Sequence, residues 1–177
     1  ATQIGGNNHQ VVADLDVRAD GTIVAVGGAQ SNLIVAGLET QTLSFPSQQF
    51  GVQLAPDGTP LAVDLFGEVV SNEFAAHPIA AAWTSAGHIV LAGWLAGGGT
   101  IGGVRVESSP APDNSPSRDL LTGKIATDGA HFWSHVEGDG EDQRGRDVAT
   151  LDDDGAIIVG QFEGQLGGLH CDATSCM

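Results

Sequence analysis

Apolar positions along this chain come in short blocks, paired across turn signals, and the clearest case is residues 120–168. There the chain reads as two consecutive β-hairpins, LLTGKIATDGAHFWSHVEGDGE and RDVATLDDDGAIIVGQFEGQLGG. Each turns on an Asp-Gly pair, Asp128-Gly129 and Asp154-Gly155, a strong hairpin signal because both central positions of a tight two-residue turn require positive φ. Five such signals run through the chain: Asp20-Gly21, Asp57-Gly58, Gly87-His88, Asp128-Gly129 and Asp154-Gly155. Every second one is regularly spaced, 66 residues from Gly21 to Gly87, 68 from Gly87 to Gly155 and 71 from Gly58 to Gly129. The repeating unit is therefore a pair of hairpins, four strands in 66–71 residues.

The two hairpins of a unit differ in pattern. The first reads ADLDVRADGTIVAVGG, AAAWTSAGHIVLAGW and VATLDDDGAIIVGQF, with a β-branched pair after the turn (Ile23-Val24, Ile89-Val90, Ile157-Ile158) and then glycine (Gly27, Gly93, Gly160). Near-continuous apolar runs predict inner strands buried on both faces. The second, FGVQLAPDGTPLAVDLFGE and LLTGKIATDGAHFWSHVEG, is more polar and alternates, which predicts outer strands half exposed to water.

Four antiparallel strands per unit, with glycine at close approaches, predict an all-β fold of β-propeller-like blades. The chain holds two complete units, about 9–74 and 75–139, and a partial third at 140–169, about two and a half in all, before a short tail at 170–177. QIGGNN at 3–8 reads as the end of a preceding outer strand. ESSPAPDNSPSR at 107–118, rich in proline and serine, predicts an exposed and mobile insertion. Residues 74–104 carry no charge over 31 positions, but seven glycines between Ile79 and Gly103 and a turn at Gly87-His88 favour hairpins over a membrane span.

Charge narrows the partners. Twenty-two acidic against six basic residues give −16, a surface that repels nucleic acid and anionic lipid. The only cysteines, Cys171 and Cys176, are spaced to close a small disulfide ring in an oxidising compartment, and the acidic, lysine-poor, glycine-rich composition suits an exported protein. With His170 the same pair supplies three zinc-type ligands, but no second cluster accompanies them. The chain opens at Ala1 with no charged-then-apolar leader, as a mature exported chain or an excerpt of a longer one does.

The segment KIATDGAHFWSHVEGDGEDQRGRDVATLDDDGAIIVGQFEG resembles the repeat of secreted bacterial β-propellers of the SBBP (seven-bladed beta-propeller) type, found in myxobacteria and their relatives. Lys124, Gly129, Trp133, Gly138, Val148-Ala149, Asp154-Gly155 and Gly160 fill the places of that pattern. The match is good over 120–168 and fair over 3–28. The resemblance implies an extracellular scaffold and assigns Trp133 to packing.

Candidate chemistry is sparse. The densest acidic stretch, 137–154, offers Asp139, Glu141, Asp142, Asp152 and Asp153 as oxygen ligands for calcium, although a regular DxDxDG loop is absent and hairpin turns favour Asp for their own reasons. GGGTIGG at 97–103 does not lead into a helix and reads as a flexible loop. No Gly-x-Ser-x-Gly, paired catalytic carboxylates or phosphate loop occurs, and the histidines are scattered. The expectation is a non-enzymatic scaffold without a required cofactor, whose open strand edges are covered by copies of itself, by further blades or by a partner chain. The alternative is a glycan- or calcium-binding propeller fragment.

Overall fold

The computed structural model describes residues 3–6, 9–29, 33–36, 38–39, 48–68, 76–110, 117–153, 155–166 and 169–171, and within them the chain is all-β. The first sheet is an antiparallel meander of β2 (Gln10–Val17), β3 (Ile23–Ala29), β6 (Gln48–Leu54) and β7 (Pro60–Glu68). The second repeats it with β8 (Ala76–Trp83), β9 (Ile89–Ala96), β12 (Arg118–Ile125) and β13 (His131–Glu137). The third holds only its opening hairpin, β14 (Gln143–Thr150) and β15 (Ala156–Phe162). The sheets stack as open blades and do not close into a barrel.

Each unit also carries a small hairpin after its second strand: β4 (Ile34–Val35) with β5 (Leu38–Glu39), β10 (Gly98–Ile101) with β11 (Val104–Glu107), and β16 (Gly164–Leu166) with β17 (Leu169–Cys171). The flexible loop expected at 97–103 is therefore a paired hairpin, in which Gly97, Gly102 and Gly103 take positive φ. At the start, β1 (Ile4–Gly5) pairs with β4, as β7 packs against β10 one unit later. Residues 3–6 thus sit against the first unit where a preceding strand belongs.

The main turns form by a different route from the two-residue geometry the Asp-Gly pairs predict. Gly21 N–H donates to the Arg18 carbonyl and Arg18 N–H to the Thr22 carbonyl, and the same pair of bonds closes the turns at Gly58, Gly87 and Gly129. Only the glycine, at φ between 82° and 85°, is left-handed. Aspartate acts through its side chain instead: Asp20, Asp57 and Asp128 Oδ1 accept the N–H two residues on, from Thr22, Thr59 and Ala130. Those bonds hold the Asp20 and Asp57 carboxyls below the ordinary carboxylate range. Asp154 lies outside the described residues.

A second device recurs with the repeat. Val12, Pro78 and Gly145 face Gly27, Gly93 and Gly160, and the register slips by one residue immediately afterwards in all three hairpins. A side chain at Gly27 would overlap the Val11 carbonyl, and one at Gly160 the Arg144 carbonyl, so the bulge brings backbone where a Cβ would stand.

The core has three parts. Val24 and Val26 of β3 pack against Ala81, Trp83, Ile89 and Leu91 between the first and second sheets, joined by Leu95, Ile101, Leu121 and Ile125. On the opposite face of the second sheet, Ala80, Ala82, Val90 and Ala92 meet Val148, with Ala156 and Ile158 alongside. Leu33, Val35, Phe50, Val52 and Leu54 fill the outer face of the first sheet.

Burial therefore follows position in the stack and not hairpin type. β12, expected to be half exposed, is buried over most of its length, while β2 and β15, expected to be buried on both faces, expose one face each. The uncharged run at 74–104 is occupied by β8 and β9 of the middle sheet and by β10 of the small hairpin, and no helix among the described residues is long and apolar enough to cross a membrane. Residues 111–116 of the expected insertion lie outside the described residues, but its flanks are tied down. Ser109 N–H and the Ser117 hydroxyl both donate to Asp119, and Ser109 Oγ donates to the Gly138 carbonyl.

The second and third sheets approach closely at a pair of glycines, Gly93 and Gly145. A Cβ on Gly145 would stand 2.9 Å from the Gly93 nitrogen. Gly145→Ala is expected to destabilise the chain by about 1–3 kcal/mol in urea unfolding. Gly98→Ala, whose methyl meets nothing nearer than 3.6 Å, should change stability by less than about 0.5 kcal/mol.

Candidate interaction faces

The first strands of the three units, β2, β8 and β14, lie side by side, each the edge of its own sheet. An edge strand points alternate N–H groups away from its sheet, and burying them unpaired is costly. Here the neighbouring sheet supplies acceptors. Asp14 and Asp16, two apart and so on one face of β2, accept the N–H groups of Ala81 and Trp83 at 3.0 and 2.9 Å. On the other side of β8 the Thr150 hydroxyl donates to the Trp83 carbonyl at 2.6 Å. A cleft of 340 Å³ runs over these strands, lined by 14–16, Ala81, Ala82 and 147–150. Its acids are committed to backbone groups, and no set of three metal-ligating side chains gathers among the described residues.

The acids singled out from the sequence divide into two groups. Asp139 Oδ1 accepts from Gln143 Nε2 at 3.0 Å and from the Glu141 N–H at 3.3 Å, and its Oδ2 accepts the Gln165 N–H at 2.7 Å. It ties the approach to β14 onto β16. Asp142 is paired with Arg118 of β12 at 2.9 Å and with Arg144 of β14, which bridges the second and third sheets. Asp152 and Asp153 lie beyond the far end of β14, in the turn to β15, where Asp153 Oδ1 accepts the Gly155 N–H. The eight residues of β14, about 26 Å of extended chain, separate the groups. Asp139, Glu141 and Asp142 share the approach to β14 without gathering into a set of metal ligands, and Asp152 and Asp153 lie at its other end.

Of the cysteines, Cys171 ends β17 and Cys176 lies outside the described residues. Trp83 is buried beneath the Arg18 guanidinium, and Trp133 packs on the cluster that joins the second and third sheets.

What the sequence did not reveal is how the stack ends. In the third sheet Val148, Ala156 and Ile158 face the second sheet, while Ile157 and Val159 on the opposite face are 53% and 54% exposed. In the first sheet Leu15 and Val17 of β2 are 59% and 53% exposed, on the face opposite Asp14 and Asp16. Among the described residues β15 also has no counterpart of the neighbouring strand that β6 gives β3 and β12 gives β9. Beside it a cleft of 220 Å³ opens against Leu120 of the second sheet, lined by Gln143, Arg144, Ile158 and Phe162. The hint in the sequence is the count of two and a half units, because a half unit leaves a sheet face uncovered.

Two substitutions test these contacts. Asp16→Ala leaves the Trp83 N–H without its acceptor and should cost about 1–3 kcal/mol in urea unfolding, whereas Asp16→Asn, which keeps an acceptor oxygen, should cost less. Asp142→Asn tests the bridge to the third sheet. Burial alone would raise the Asp142 carboxyl, but hydrogen bonds and charge from Arg144 and Arg118 outweigh it and hold it below the usual carboxylate range. A depressed carboxyl stabilises fully above its unfolded value of about 4 and loses that contribution as pH falls through the lower folded value. The wild type should therefore exceed Asp142→Asn by about 1 kcal/mol or less at pH 7, since the pair is partly screened, and the gap should close towards pH 2. Neither a protein-family model nor a curated protein sequence matches this chain.

Proposed function

We propose that this chain is an extracellular, non-enzymatic β-repeat scaffold that works by assembly, its terminal sheets covered by other chains. One observation carries the reading. Ile157 and Val159 occupy the places in β15 that Val24 and Val26 occupy in β3 and that Val90 and Ala92 occupy in β9, and all four of those counterparts are buried between sheets. A repeat that buries this face twice and exposes it at its end presents a prepared contact surface.

Supporting features point the same way. The uncovered edge of β15 is a template for a further strand. The polar cleft over the inner strands has its carboxylates bound to backbone, which suits a structural joint better than a reacting centre. The acidic, lysine-poor surface and the SBBP-like repeat at 120–168 favour an extracellular setting.

Light scattering coupled to size exclusion, across a hundredfold range of concentration, tests the proposal. It predicts a species heavier than the 18.0 kDa chain that grows with concentration. A monomer throughout the range rules out assembly of this chain.

A further inference from the structure

We infer that the assembly runs head to tail between copies of this chain, with the open face of the third sheet of one copy seated on the open face of the first sheet of the next; this rests on the assembly reading above. The chain's own first joint supplies the pattern. There β3 presents Val24 and Val26 to Ala81 and Trp83 of β8, and Asp14 and Asp16 reach across to the N–H groups of those same two residues.

The apolar half of that joint and part of its polar half recur, unused, on the two outward sheet faces. Ala156 pairs with Thr150 as Ile23 pairs with Val17 and Ile89 with Trp83, so Ile157 and Val159 stand where Val24 and Val26 stand. By the same register Leu15 and Val17 of β2 stand where Ala81 and Trp83 stand in β8. Leu15 pairs with Ala25 as Ala81 pairs with Leu91, which turns the Leu15 N–H out from the edge as the Ala81 N–H is turned.

One of the two acceptors is also in place, Ala149 standing where Asp16 stands. Asp147 of β14 holds the register position of Asp14 and is exposed. Its Oδ1 accepts the following N–H, from Val148 at 2.8 Å, just as Asp16 Oδ1 accepts from Val17 at 2.7 Å. In Asp16 that bond leaves Oδ2 to reach the next sheet at Trp83. Asp147 is set in the same way, with the Leu15 N–H of a second copy as the matching donor.

Only the head-to-tail arrangement satisfies both parts. Two third-sheet faces would set Asp147 against Asp147 in a chain already at −16, and two first-sheet faces would set donors against donors. A contact between unlike faces is directional, so it propagates into a filament or closes into a ring.

The test uses two complementary variants of the whole chain. Ile157→Lys with Val159→Lys blocks the third-sheet face, and Leu15→Lys with Val17→Lys blocks the first-sheet face; all four positions are exposed, and thermal melting checks that each variant is folded. Each variant alone should be monomeric by light scattering. An equimolar mixture should give a one-to-one dimer, twice 18.0 kDa, that grows no further, since each member keeps one working face. If the wild type assembles but one variant still associates with itself, or the mixture stays monomeric, head-to-tail docking is overturned while assembly stands. If the wild type is monomeric, both fall. Asp147→Ala should raise the Kd of that mixed dimer about 5- to 10-fold, and an unchanged Kd overturns the proposed register.

Discussion

Burial of the middle sheet on both faces is the constraint on which the rest of the structure depends. A lone antiparallel sheet hides one side of each strand and leaves the other to water, and four short strands by themselves carry little stability. Here β8 and β9 contribute side chains to two core clusters, one on each face, with β12 adding to the first, and the first and third sheets are each held by one of them. The alanines at 80, 82 and 92, together with Gly93 against Gly145, let the third sheet sit close enough for β14 to cross three strands of the second. Larger side chains on that face would hold the sheets apart and lose the contacts that small ones permit.

Stacking sheets in this way creates a problem at their inner edges, and its solution is polar. The first strand of each unit has only one hydrogen-bonding neighbour, so its outward N–H groups are left beside the next sheet. Asp14 and Asp16 answer that need for β8, two residues apart because a strand repeats every two. They also explain part of the acidic excess without invoking a bound cation. The turn aspartates bind the N–H two residues on, and Asp142 joins arginines from two sheets. Much of the negative charge is thus local hydrogen-bond chemistry, each carboxylate near the backbone or guanidinium it serves.

Much of this was legible along the chain. The 66- to 71-residue spacing, the hairpins on either side of each turn and the four-strand unit follow from turn residues and β-branched runs, which act locally. Gly27, Gly93 and Gly160 were visible as recurring marks, although the bulge that demands them was not. What escaped has non-local causes. β12 alternates like a half-exposed strand, yet Leu121 and Ile125 meet one cluster while Thr122 and Lys124 are closed in on the other face. β15 reads like β3 and β9, yet among the described residues no sheet lies beyond it. The small hairpins were hidden because their glycines suit a loop as well as a tight turn. The acidic run at 137–154 looked like one cluster because sequence distance ignores that a strand is straight: β14 carries Asp152 and Asp153 away from Asp139 and Asp142.

The ends of the stack follow from the same repetition that stabilises its middle. The first joint sets β-branched side chains of one unit's second strand, with acceptors from its first strand, against the outward N–H groups of the next unit's first strand. A linear stack of such units necessarily leaves one face of each kind unused. Sheet faces altered to stop growth would carry charge and break the register, as terminal caps of repeat proteins do. Ile157, Val159, Leu15 and Val17 have kept the apolar character of the joint, and Asp147 has kept its acceptor. The apolar faces and one acceptor, in matching register, are the physical ground for the proposal that the open faces are contact surfaces.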